Sequence, residues 1–251
     1  QLPTDFEGTA VAVADKADTI AGLFAVGQLP TGSSDPFALR RNAIGIISIL
    51  LAGFPLSLNS LIREACANLA QSGISMDKAK TEQSIREFFA GRLEVIARER
   101  GYSIDTVDAV MATGNIEPVD VIARSEALTV ARKSNPELFD DLATAYTRAN
   151  NLRDASLGIS VNESLFSEPE KVLLNAIDKV DEGIRDALKI KRYDRAIEYL
   201  ASLRNPIDRF FDEALIMDSD EQLRANRLRL LNRFVQVFTE VADISRLTRS
   251  I

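Results

Sequence analysis

Apolar residues recur along this chain at intervals of three and four, and almost nowhere do they alternate. The pattern predicts an all-α fold, with helices over about 8–26, 36–52, 55–72, 77–99, 103–112, 117–132, 135–155, 169–188, 193–203, 206–217 and 219–248. No β-branched alternation flanked by hairpin turns interrupts it. Asp35, Asn135 and Asn205 each precede a proline, an arrangement that caps a helix and places proline at its first position. Ser219 with Gln222 reads as a capping box. "ERGY" around Gly101 reads as a helix stop, and "ATGNIEP" at 112–118 as a turn.

The last predicted helix is the most patterned. At 100° per residue, Leu223, Leu230, Leu231, Phe234, Val237, Phe238 and Val241 share one face. Arg229 and Arg233 fall on the opposite side, toward solvent or a ligand. Arg227 falls inside the apolar stripe, and a buried arginine needs a carboxylate because an unpaired one is very costly. Asp208 and Asp212 in "NPIDRFFDEALIM" are the expected partners for a structural ion pair, with direct ligand contact as the alternative.

Composition adds exclusions. Of 251 residues, 46% are hydrophobic and 27% charged, the balance of an ordinary globular protein. The most apolar window, "AIGIISILLAGFPLSL", is broken by Gly53 and Pro55 and is too short to span a bilayer. No secretory signal pattern opens the chain. It begins with Gln1 rather than Met, as a segment of a longer protein would. Histidine is absent, which removes Ser–His–Asp and Cys–His nucleophiles and nearly all zinc chemistry. The lone Cys66 sits among helical apolar positions and reads as a buried structural thiol in a reducing, cytoplasmic setting.

The net charge of −7 argues against a generic nucleic-acid binder, DNA included. Locally the balance reverses: residues 185–209 and 221–251 each carry an excess of three positive charges. The turn-rich "GQLPTGSSDPFALRR", residues 27–41, resembles a phosphate cradle only superficially. No lysine follows Gly32, no strand precedes the loop, and Asp35 would stand where an anion should sit. It reads as a helix connection, with Arg40 and Arg41 left for an RNA backbone or a partner's acid.

Three stretches then carry a specific resemblance: "VAVADKADTIAGLFAVGQLPTGSSDPFALRR", "GRLEVIARERGYSIDTVDAVMATG" and "LRNPIDRFFDEALIMDSDEQLRANRLRLLNRFVQVFTEVADISRL". In this order they resemble the C-terminal portion of the β subunit of the bacterial two-chain glycyl-tRNA synthetase, and together they frame the chain. The resemblance implies three blocks. Residues 1–72 would be the tail half of an HD-like helical domain, 73–134 a helical linker region, and 135–251 a helical-bundle anticodon-binding domain shared with arginyl-tRNA synthetase. It further implies that ATP and Mg are used through the separate α subunit, that this segment holds no catalytic residue, cofactor or metal, and that its partners are glycine tRNA and the α subunit, with no membrane. Asp15 in "VAVADKADT" stands at the last position of the HD metal pattern, but one ligand without histidines holds no metal.

Anticodon loops are held by basic side chains on phosphate and by stacking and hydrogen bonds on unstacked bases. "AYTRANNLR" is similar to a family stretch in which Arg148 and Asn151 match an arginine and an asparagine, while Thr147 replaces a lysine. Three residues apart, Arg148 and Asn151 share a helical face. Either they contact tRNA or they fix contacts between helices. Lys191 and Arg192 in "LKIKRYDRA", with Arg229 and Arg233, are further candidates. The alternative function is an all-α subunit-interaction scaffold that does not touch tRNA.

Overall fold

A computed structural model describes residues 5–32 and 34–248. Among them the fold is all-α. The helices are α1 (Phe6–Ala25), α2 (Leu39–Leu51), α3 (Leu58–Gln71), α4 (Lys78–Glu99), α5 (Ile104–Met111), α6 (Pro118–Ser134), α7 (Pro136–Leu152), α8 (Glu168–Lys189), α9 (Tyr193–Ala201), α10 (Arg204–Glu213) and α11 (Glu221–Gln236). Short 3-10 turns occupy Ala155–Leu157, Glu163–Leu165 and Ile244–Arg246. Two compact units result. One takes in the chain up to Gly101 with Gly114–Ile122; the other takes in Tyr102–Thr113 and the chain from Ala123 on. The stretch expected as a linker, 73–134, is divided between them.

In the first unit α1 packs on α2, α3 and α4 through Val13, Ile20, Phe24, Ile46, Ile47, Leu50, Ile62 and Phe89. Glu117 caps α3 from a distant turn. Its carboxylate accepts from Ser57 Oγ (2.7 Å), Leu58 N (2.9 Å), Asn59 N (3.1 Å) and Asn59 Nδ2 (2.7 Å). A negative group at a helix N-terminus meets unpaired amides and the positive end of the dipole.

The loop before α2 is built the same way. Asp35 accepts from Leu39 N (2.8 Å) and Arg40 N (3.0 Å), so a carboxylate already fills the place a phosphate would take. The helix starts at Leu39 rather than at Pro36, because Ala38 adopts φ +55° and ends a turn closed by its amide on Asp35 O (3.1 Å). Asp15, the HD-pattern position, is exposed, and its carboxylate has no partner among the described residues.

In the second unit α8 packs on α9, α10 and α11, and α7 packs on α10 and α11. Asn135 caps α7 ahead of Pro136, as its sequence predicts. Two other expected starts differ. Asn205 caps nothing, because α10 begins at Arg204, directly after the turn that ends α9. Asp220, not Ser219, caps α11, accepting from Gln222 N (2.8 Å) and Leu223 N (3.3 Å); a charged acceptor on two amides outcompetes a hydroxyl.

The last helix also ends at Gln236, well before 248. Val237, Phe238 and Val241 stay buried, but their backbone is drawn elsewhere. Arg124 of α6 donates to the carbonyls of Glu240 and Val241, and Asp243 N donates to Ala109 O (2.8 Å). Among the described residues no helix is long and apolar enough to cross a membrane.

Candidate nucleic-acid interface

Helix α7 has two faces. Phe139, Leu142, Ala145, Tyr146 and Ala149 pack into the second unit. Asp140, Ala143, Thr144, Thr147, Arg148 and Asn151 lie on the other side, one above another at helical spacing, and line a groove of about 670 Å³. Ser245 and Leu247 of the C-terminal segment form its second wall.

That wall is fastened on both sides. Asp243 accepts from Ser245 N (3.2 Å) and Ser245 Oγ (2.6 Å), shaping the Ile244–Arg246 turn. Burial, helped by the neighbouring Asp243 carboxylate with which it hydrogen-bonds, pushes the Tyr146 hydroxyl up to about 12. Asp105 accepts from Thr248 N (2.9 Å) and Thr248 Oγ1 (2.7 Å) and pairs with Arg132 (3.0 Å), which also donates to Thr248 O (2.8 Å). Burial raises the Asp105 carboxyl, but hydrogen bonds from Ser103 Oγ and Thr248 and the Arg132 charge outweigh it and hold it well below the usual carboxylate range.

Arg148 and Asn151 are brought together in this groove, both exposed. The Arg148 guanidinium lies over the Phe211 ring of α10, 4.1 Å from its centroid. Among the described residues it has no acid, amide or carbonyl partner.

The other basic candidates are engaged differently. Arg229 donates to Leu157 O (3.2 Å) and Arg233 pairs with Asp178, so neither faces solvent freely. Asn226 and Asn232 of the same helix bond the backbone of Asn162, Asp154 and Gly158, and the connection from α7 to α8 thereby covers the face of α11 expected to be open. Arg192 is bidentate on Asp194 (2.9 and 2.7 Å); its neighbour Lys191 is exposed, in a left-handed turn. In the first unit Arg40 is folded back on Gly32 O (2.7 Å), while Arg41 is exposed without a partner among the described residues.

Arg227 is not paired with Asp208 or Asp212. Its side chain, 11% exposed, meets Glu170 (2.7 Å), which is fully buried, and Asp218 (2.9 Å). It also donates to Leu215 O (2.6 Å), and Ser167 Oγ donates to the far oxygen of Glu170. Asp208 instead pairs with Arg204 on its own helix, and Asp212 is exposed. The partners come from the start of α8 and the turn before α11, which pack on the arginine's own side.

Two family models match the chain. One, describing the glycyl-tRNA synthetase beta subunit, covers residues 1–112; the other, describing the DALR anticodon binding domain, covers residues 142–245. Relatives named glycine–tRNA ligase beta subunit match almost all of it: 38% identity over 248 residues in Syntrophus aciditrophicus (98% of this chain), 38% over 249 in Geobacter metallireducens (98%) and 39% over 254 in Vibrio cholerae (99%). The chain belongs to the glycyl-tRNA synthetase beta subunit family. It spans 36% of the length of these curated relatives and matches the C-terminal portion of the family.

The family assignment gives the groove its context. All of its lining except Asp140 and Leu247 falls inside the stretch matched as an anticodon-binding domain. The resemblance pointed to Arg148 and Asn151, and both line this groove; Phe211, Ser245 and Leu247, which approach α7 from remote segments, were not expected there. The adjacent phenylalanines at 210 and 211 were an available signal: neighbours on a helix point about 100° apart, so α10 must pack over a wide arc, and both are buried.

Proposed function

We propose that this chain is the noncatalytic, tRNA-binding part of a glycyl-tRNA synthetase β chain, and that the α7 groove receives the anticodon region of glycine tRNA. The observation that carries the proposal is the pair Arg148 and Asn151, side by side in a groove inside the anticodon-domain match, the arginine free of any acid. An unpaired guanidinium offers in-plane donors and a stacking face, and an asparagine reads a base edge. Arg41 and Lys191, both exposed, are further contacts to the tRNA backbone, as are Arg40, Arg192, Arg229 and Arg233, each of which also holds an acid or a carbonyl.

In this reading the segment serves glycine–tRNA ligation in the cytoplasm. ATP and Mg act through the α subunit, and the segment itself holds no cofactor. Among the described residues no three groups are placed to hold a metal. In the alternative, a scaffold that only joins subunits, Arg148 would serve only as the α7–α10 contact that it makes on Phe211, and its N–H donors would have no use.

Affinity of the native protein, with the chains it assembles with, for glycine tRNA tests the proposal. Binding is expected to fall steeply with salt. Arg148→Ala is expected to weaken it about ten-fold, the size of one lost base or charge contact. Salt-independent binding, or a full-strength Arg148→Ala variant, refutes it.

A further inference from the structure

Helix α10 carries Phe210 and Phe211 in succession. Phe210 is fully buried, while Phe211 reaches the edge of the core, where the Arg148 guanidinium covers its ring at 4.1 Å. The other arginines considered for the second unit, Arg192, Arg227, Arg229 and Arg233, each hold a carboxylate or a carbonyl oxygen. Arg148 alone of these is held by an aromatic face, and that contact occupies none of its N–H donors.

A guanidinium stacked on a ring is restrained without being neutralised. Its donors lie in its plane and its second face is weakly hydrated, which suits another flat π-system. The surroundings favour a neutral ligand there over a second anion: Asp140 lines the same groove, and Thr144, Thr147, Asn151 and Ser245 are uncharged.

Resting on the tRNA reading above, we infer that Phe211 is a positioning residue: it holds Arg148 so that an unpaired nucleobase stacks on the guanidinium's outer face, with Asn151 one turn away at the base edge. The groove thereby selects an unstacked base, and the arginine acts as a platform more than as a counter-charge. An unrestrained exposed arginine loses its side-chain freedom when a base binds; one already laid on a ring loses less.

The test uses the native protein and glycine tRNA, with affinity measured across a range of salt concentrations. Phe211→Leu is expected to weaken binding about three-fold with the salt slope unchanged, and Phe211→Tyr to retain native affinity. Arg148→Lys keeps the charge but loses the plane, so it is expected to be as weak as Arg148→Ala, about ten-fold below native. Because Arg148 is exposed, the lysine variant remains informative even if Phe211→Leu lowers folding stability. Native affinity in Arg148→Lys overturns the inference and leaves a phosphate contact in its place. Native affinity in Phe211→Leu alongside a weak Arg148→Ala overturns it too, since the arginine then acts without the ring. Native affinity in Arg148→Ala overturns the groove reading itself, and the stack with it.

Discussion

Replacing Glu170 by alanine probes the Arg227 pair most sharply. Glu170 is fully buried and Arg227 is 11% exposed, so the mutation takes one of two carboxylates from a largely buried cation. Breaking a buried pair from one side costs about 3–5 kcal/mol. Asp218 at 2.9 Å and Leu215 O at 2.6 Å still hold the guanidinium, which places the expected loss at the lower end, about 3 kcal/mol. For a unit of this size that is a fall of roughly 6–12 °C in Tm, readable by calorimetry or urea unfolding. Asp212→Ala, at the exposed position first expected to pair with Arg227, is the control, with a change of less than about 0.5 kcal/mol. Acid titration gives a second readout. Burial pushes the Glu170 carboxyl up, but hydrogen bonds from Ser167 and Arg227 outweigh it and leave its pKa lowered. A lowered folded pKa means the pair contributes fully above the ordinary glutamate value near pH ~4.3 and is lost as pH falls below it. Glu170→Gln should lack that part of the acid slope. An unchanged Tm in Glu170→Ala, or equal losses in Glu170→Ala and Asp212→Ala, would refute the reasoning.

Glu117→Ala removes four hydrogen bonds at the start of α3 and should cost about 2 kcal/mol in urea unfolding, more than an ordinary cap. Gly183→Ala puts a methyl 2.5 Å from the Tyr199 ring, and overpacking should cost about 1–3 kcal/mol; a neutral result would mean that the α8–α9 contact is looser than described. Asp105→Asn should release the C-terminal segment, seen as faster hydrogen exchange at the Thr248 amide. Because the Asp105 pKa is lowered, the native strap stays fastened as pH falls through the usual aspartate range near ~4 and opens only in stronger acid.

The helical pattern was legible because each helix shows one apolar face, as α7 does with Phe139, Leu142, Ala145, Tyr146 and Ala149. What the pattern could not carry was competition from remote backbone partners. Val237, Phe238 and Val241 keep helical spacing, yet Arg124 and the Ala109 carbonyl, more than a hundred residues upstream, take the backbone groups that would continue α11. Arg227 shows the same limit for charge. Burial inside the stripe was readable from periodicity, but its partner Glu170 lies 57 residues away, and only tertiary packing selects it over Asp208. Arg229 lies away from the apolar stripe as the angles predict, but the α7–α8 connection runs over that face; Arg233, on the stripe's flank, pairs with Asp178 of α8. For the groove, the resemblance supplied Arg148 and Asn151, and chain topology alone brings Phe211 beneath one of them.

Whether the α7 groove reads the anticodon region is decided by discrimination. Affinity is measured for glycine tRNA and for the same tRNA with its anticodon bases replaced, using the native protein and an Arg148→Ala/Asn151→Ala variant. The native protein is expected to prefer the authentic anticodon by about ten-fold or more, and the variant to lose most of that preference. A variant that discriminates as well as the native protein would contradict that reading of the groove.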